Sequence, residues 1–154
     1  MSIVKFYRGD PNAPKPTMGA HLGSNANNTS KGRLLLEKRR DSDDWGLVGG
    51  GVKNYETELQ AMLREVREEL GIRGPQEKFR RLRSYGEPGR IAAYCDGSIW
   101  RMVIVVFGLD FEAEPRMRVS SESKELRFFT KEELKNIEIV ITHSDIVEDL
   151  FLNA

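Results

Sequence analysis

One cysteine, two histidines and no surplus charge of either sign leave several chemistries without material. Among 154 residues Cys95 is the lone thiol, so no intrachain disulfide and no cysteine-rich metal site can form. Its expected place is inside a strand as a small buried hydrophobe, and a reducing compartment, the cytoplasm, is the expected location. His21 and His143 stand far apart without metal-ligand spacing and read as structural or surface residues. Lys and Arg number 24 against 24 Asp and Glu, which argues against a nucleic-acid partner held by bulk charge. No apolar run approaches the roughly 18 residues a membrane span needs. The N-terminal "MSIVKFYRGD" has neither the apolar stretch nor the small-residue cleavage site of a signal peptide.

With 39% hydrophobic and 31% charged residues, the balance is that of a globular protein. The length suits a single domain over 1–154, with residues 1–14 as an irregular lead-in rich in proline and turn residues. "TMGAHLG" reads as a strand, residues 24–32 ("SNANNTSKG") as a polar loop, and residues 33–39 ("RLLLEKR") as a strand closing a long-tipped hairpin. "WGLVGGG" is a short strand entering a glycine turn. A helix is predicted over residues 57–70, since Leu59, Met62, Leu63, Val66 and Leu70 recur at helical spacing. Thr57 and Gln60 form a capping box for it, and Gly71 is its stop. Strands follow at 78–85, at "RIAAYC" and at "SIWRMVIVVFGLDF", the last two joined by Asp96-Gly97 as a type I′ turn. "ELRFF" is a further strand. Thr130 and Glu133 box the start of a small helix, and Ile146, Val147, Leu150 and Phe151 mark a final amphipathic one. Strands and helices interleave without strict alternation, which predicts an α/β sandwich with a mixed sheet.

The chemistry gathers on residues 49–72, "GGGVKNYETELQAMLREVREELGI". At ~100° per residue, Glu65, Glu68 and Glu69 fall within about a third of the helix circumference, beside the apolar stripe. A bare Glu-x-x-Glu-Glu is usually a solvated acidic face. Carboxylates held together behind a glycine turn instead suit a hard cation such as Mg²⁺ or Mn²⁺. Glycines allow the sharp turn that brings a backbone oxygen to the same ion. Arg64 can orient Glu68, four residues on.

Gly50, Glu56, Arg64, Glu65, Val66, Glu68, Glu69, Gly71 and Ile72 occur in the order and spacing of the Nudix box, and the chain resembles a Nudix hydrolase. Val48 stands where that family commonly has proline. The resemblance implies a Nudix-type α/β/α sandwich. It also implies hydrolysis of a phosphoanhydride bond in a nucleoside diphosphate linked to another moiety, with Mg²⁺ or Mn²⁺ as cofactor. It makes Glu65, Glu68, Glu69 and the Gly49 carbonyl the metal-binding set, with Arg64 as orienting residue. The general base is Glu65 or, from a later loop, Glu122. Arg39, Gly50 and Gly51 are the expected substrate contacts. Strand alternation sends Arg39 and Arg40 to opposite faces, and Arg39 is preferred. Glu56 and Gly71 are structural: on an unbroken helix Glu56 would lie ~12 Å from Arg64, too far to pair directly.

Trp45 and Trp100 are expected in the core. Pro88, sixteen residues past Ile72, stands where ADP-ribose pyrophosphatases tend to have proline, so an ADP-ribose-like compound is the first substrate. Nucleoside triphosphates are the alternative, and a non-hydrolytic nucleotide-binding module is the other class. The expected partner is a small nucleotide, without membrane or bulk nucleic-acid binding; a homodimer is left open.

Overall fold

The computed structural model describes residues 2–154. Its strands are β1 (Ile3–Phe6), β2 (Ala20–Ser30), β3 (Arg33–Arg39), β4 (Trp45–Gly46), β5 (Val48–Gly51), β6 (Arg80–Tyr85), β7 (Ile91–Tyr94), β8 (Ile99–Phe111) and β9 (Ser123–Phe129). Helices α1 (Glu58–Leu70), α2 (Lys131–Leu134) and α3 (Ser144–Val147) accompany them, and α3 continues into a widened turn over Glu148–Leu152. The strands join in one mixed sheet ordered β1-β7-β8-β2-β3-β4, with β5 also on β2, β6 on β8 and β9 on β3. No helix among the described residues is long and apolar enough to cross a membrane.

Alternation along the strands sorts side chains between two cores. Leu34, Leu36, Ile104, Val106 and Phe129 face α2 and α3 with Trp45, Ile146, Val147 and Phe151. Leu35, Val105, Phe107 and Phe128 face α1, where Met62, Val66 and Leu70 meet them. The sheet therefore lies between helical layers as expected. Helix α1 is capped as its sequence specifies: Thr57 and Gln60 bond reciprocally, and Gly71 ends it in the left-handed conformation.

Four local expectations need correction. Residues 24–30 are not a loop but the second half of β2, paired in parallel with β8 from Ala20↔Arg101 to Ser30↔Phe111. Ser24, Asn25, Asn27, Asn28 and Ser30 are buried; polar composition misled because the neighbouring strands satisfy the backbone that a loop would leave to solvent. The tip is a two-residue turn, Lys31-Gly32, with φ of 50° and 75°, the positive pair a type I′ turn requires. At the other hairpin only Gly97 has positive φ. Tyr94 N–H donates to Ser98 O and Gly97 N–H to Tyr94 O, so Cys95-Asp96-Gly97 is a three-residue loop ending in a left-handed glycine. Cys95 sits exposed on that loop rather than inside a strand. The N-terminal lead-in, finally, contains β1, which pairs with β7.

The glycine turn into α1 has no spare room. Gly49 has φ of +148°, and a Cβ there would lie 2.2 Å from the Ser24 carbonyl oxygen, because β5 runs antiparallel against β2 at Asn25↔Gly49. Gly49→Ala should therefore lower stability by on the order of 2–3 kcal/mol. That would be read as a fall in urea midpoint at unchanged slope; an unchanged midpoint would contradict this strand path.

Candidate active site

Helix α1 buries two of its four carboxylates, Glu65 and Glu69, on the side toward the glycine turn. Glu65 is 8% exposed and Glu69 4%, whereas Glu68 keeps 53% of its side chain in solvent. The cluster is thus not uniformly surface-facing, because the helix lies with the Glu65–Glu69 edge turned into the sheet. Gly50 makes this possible: a Cβ there would be 2.6 Å from Glu65 Oε1. Gly49 donates its N–H to Glu69 Oε2 at 3.2 Å.

Arg64 ties the turn to the helix. Its Nη2 lies 2.6 Å from Glu56 Oε1 and its Nε 3.1 Å from Glu56 Oε2, a two-point pair. Nη2 also donates to the Gly51 carbonyl at 3.0 Å. Nη1 reaches Glu65 Oε1 at 2.7 Å and Glu68 Oε2 at 3.4 Å. The expected ~12 Å separation of Glu56 from Arg64 fails because α1 begins only at Glu58, and the preceding turn folds Glu56 back. The Arg64 guanidinium, helped by the Lys53 N–H, holds the Glu56 carboxyl down at about 2.

A cleft of about 440 Å³ opens on this floor, lined by Glu37, Arg39, Arg40, Asp41, Gly49, Gly50, Gly51, Glu65, Ser121 and Glu122. Arg39 and Arg40 both line it. The opposite-face expectation fails because Arg39 ends β3 and the chain turns at once, with Asp43 N–H donating back to Arg39 O. Glu122 stands on the wall just before β9, where its carbonyl accepts from Arg40 N–H at 3.3 Å. A second cavity of about 300 Å³ shares Arg39, Asp41, Gly50 and Gly51 with the first and adds Ile3, Tyr94, Met102 and Ile104 as an apolar side. A larger cavity, about 530 Å³, lies elsewhere, beside the Arg90–Asp145 pair. Pro88 is exposed, and its neighbours Glu87 and Gly89 line that remote cavity.

Trp45 is in the core as expected, while Trp100 is only half-buried, its ring edge-on to His21. Sequence reasoning missed Glu37. It is 4% exposed, accepts from Ser123 Oγ at 2.8 Å and sets its carboxyl against that of Glu69. Burial raises both carboxyls from the usual range; at Glu69 the charge of Glu37 adds to the rise, whereas at Glu37 the contacts with Glu69 and Ser123 pull the other way. A signal was present: Glu37 follows Leu35 by two residues in the same strand, so alternation aims it at α1.

No three His, Cys, Asp or Glu side chains among the described residues are already spaced to enclose an ion; Arg64 engages Glu65, and the Gly49 N–H engages Glu69. The donor set still fits a hard divalent cation. It is all oxygen, and its buried carboxylates repel one another unless protons or a cation sit among them.

The NUDIX domain family model matches residues 26–150. The chain belongs to the Nudix hydrolase family. An RNA pyrophosphohydrolase of Halorhodospira halophila is 46% identical over 46 residues, which is 30% of this chain and 25% of that protein. The chain thus matches about a quarter of the length of such curated relatives. Among solved structures, a bifunctional NMN adenylyltransferase/ADP ribose pyrophosphatase from Francisella tularensis, complexed with AMP and Mn, superposes with TM-score 0.71. It is 22% identical, over 92% of this chain and 43% of that one. The NUDIX domain of Shewanella oneidensis NrtR, complexed with ADP ribose, gives TM-score 0.68 at 18% identity over 90% and 89%. Both likenesses confirm the Nudix fold.

His143, beside the second cavity, is buried and accepts the Leu47 N–H on Nδ1 at 3.1 Å. Desolvation, then the charges of Arg39 and Arg90, lower it to about 3. A histidine neutral in the folded state but protonated when unfolded withdraws stability as pH falls from about 6.5 toward 3. His143→Gln, which retains an acceptor for Leu47, should flatten that part of the stability–pH curve. Urea denaturation at intervals between pH 7 and 4 measures it, and parallel curves for parent and variant would refute the assignment.

Proposed function

We propose that the protein is a divalent-metal-dependent hydrolase of a phosphoanhydride bond in a nucleoside diphosphate joined to a second group. The observation that carries this reading is the pair of buried carboxylates, Glu65 and Glu69, packed against a glycine turn under a cleft with two arginines on its rim. Glu65, Glu69, Glu68 and the Gly49 carbonyl would hold the ion. When bound, Mg²⁺ or Mn²⁺ would neutralise phosphate oxygens and make a water more acidic.

The chain's own groups supply the rest. Arg64, fixed by Glu56 and Gly51 O, holds Glu65 and Glu68 in place. Arg39 sits where the two cavities meet, so it can grip a phosphate while the group beyond it rests against Tyr94, Met102 and Ile104. The Gly50 and Gly51 backbone lets a phosphate approach closely. Glu65 is occupied by Arg64, which favours Glu122, on the opposite wall, as the proton acceptor from the attacking water.

ADP-ribose remains the first substrate to test, although Pro88 lines neither of the joined cavities. The joined cavities support a substrate with a group on each side of its phosphates. Nucleoside triphosphates are the second arm. The name of the matched relative makes a 5′-triphosphorylated oligonucleotide the third.

A comparison of kcat/KM across ADP-ribose, sugar nucleotides, each triphosphate and that oligonucleotide decides the class. A tenfold preference for a triphosphate would sink the ADP-ribose reading. Absence of turnover by a folded, Mn²⁺-bound protein would sink hydrolysis and leave a binding module. In the same assay Glu122→Gln should lower kcat by roughly 10²–10³ with unchanged Mn²⁺ affinity; no loss would return the base to Glu65.

A further inference from the structure

Glu37 lies outside the Nudix box but inside the cleft. The box places acidic groups on α1, and of these Glu65 lines the cleft, Glu69 sits behind it and Glu68 points to solvent. Glu37 comes from the opposite side, from β3, and lines the cleft beside Glu65. Its carboxyl lies against that of Glu69, so β3 and α1 meet carboxylate to carboxylate.

Its orientation is built, not incidental. Strand β9 pairs with β3 as Lys38↔Glu125 and then Arg39↔Ser123, skipping Lys124. That bulge shifts the phase of β9 by one residue. Without it Ser123, an odd-numbered position like Phe129, would face the α2–α3 core. With it Ser123 falls on the Leu126–Phe128 face, buried to 1%, and its hydroxyl reaches Glu37 Oε2 at 2.8 Å. A buried carboxylate oriented by a dedicated hydroxyl, set against a second buried carboxylate, is costly unless a proton or a cation shares its charge.

We propose that Glu37 belongs to the metal-binding set of this cleft, so that the ion is gripped between β3 and α1, with Ser123 fixing the Glu37 carboxylate. The inference rests on the metal-dependent reading of the cleft and adds to it a ligand from outside the box.

The test is Mn²⁺ titration of the full chain by calorimetry, with thermal melting in EDTA alongside. Glu37→Gln preserves shape and the bond from Ser123, so it should fold and melt in EDTA at or above the parent temperature. Its Mn²⁺ affinity should fall by about tenfold or more, and that of Ser123→Ala, which loses the orienting hydroxyl, by about tenfold. Glu132→Gln, an exposed control on α2, should match the parent. Affinity of Glu37→Gln within twofold of the parent, or a lowered melting temperature with unchanged affinity of the folded protein, would overturn the proposal in favour of a structural glutamate. Should Glu37→Gln not fold, Ser123→Ala decides, affinity equal to the parent overturning the proposal. Parent protein that binds Mn²⁺ but hydrolyses no nucleotide would remove the hydrolase reading and leave this one standing. Intact hydrolysis with equal affinities would do the reverse, and a parent that binds no Mn²⁺ would end both.

Discussion

The crowding of Glu37, Glu65 and Glu69 in a space of low exposure is the constraint around which this molecule is arranged. Like charges taken out of water repel and lose hydration together, so each needs compensation close by. Arg64 provides part of it for Glu65, the Gly49 N–H for Glu69, and the Ser123 hydroxyl for Glu37. The glycine run exists for the same reason. Gly50 gives way to the Glu65 carboxylate, and Gly49 passes against the backbone of β2. The residual negative charge is what suits the floor of the cleft to a divalent ion and, through it, to phosphate.

Rigidity around that floor comes from elements that meet there rather than from any single one. Helix α1 is pinned at its start by the Thr57–Gln60 box and by Ser24 Oγ, which donates to Glu58 O at 2.8 Å. Its middle is tied through Arg64 to the Glu56 turn and to Gly51. Its apolar edge packs on β2, β3 and β8 through Met62, Val66 and Leu70. A catalytic constellation needs its groups held to within about half an ångström. Here the holding contacts are made by the same residues that would do the chemistry, so stability and function are opposed at Glu69 and Glu37 and aligned at Arg64 and Glu56.

Much of this was legible from composition and spacing. Local rules are nearly complete for a capped amphipathic helix, and α1 begins at Thr57 and ends at Gly71 as they require. The order Gly50 to Ile72 identified the family because every position in it does a local job: a turn glycine, a turn-closing glutamate, an arginine, carboxylates one helical turn apart. Where neighbours decide, the reading failed. Residues 24–30 have loop composition, yet a parallel partner made them a central strand. Cys95 has strand composition, yet a left-handed Gly97 put it on a loop. Glu56 looked too distant because the ~12 Å spacing assumed an unbroken helix back to it, whereas the chain turns ahead of Glu58.

The amino-acid sequence alone determined the helix, its caps, the box and hence the reaction family, since each depends on residues within one or two turns of each other. Only the tertiary structure decided which carboxylates meet. Glu37 and Glu69 are 32 positions apart in the chain, and their contact depends on β3 packing over α1. Ser123, from a third element, reaches Glu37 through a one-residue bulge. No periodicity within a segment carries the phase of a neighbouring strand, because that phase is set by pairing, and pairing is settled only when the whole sheet closes.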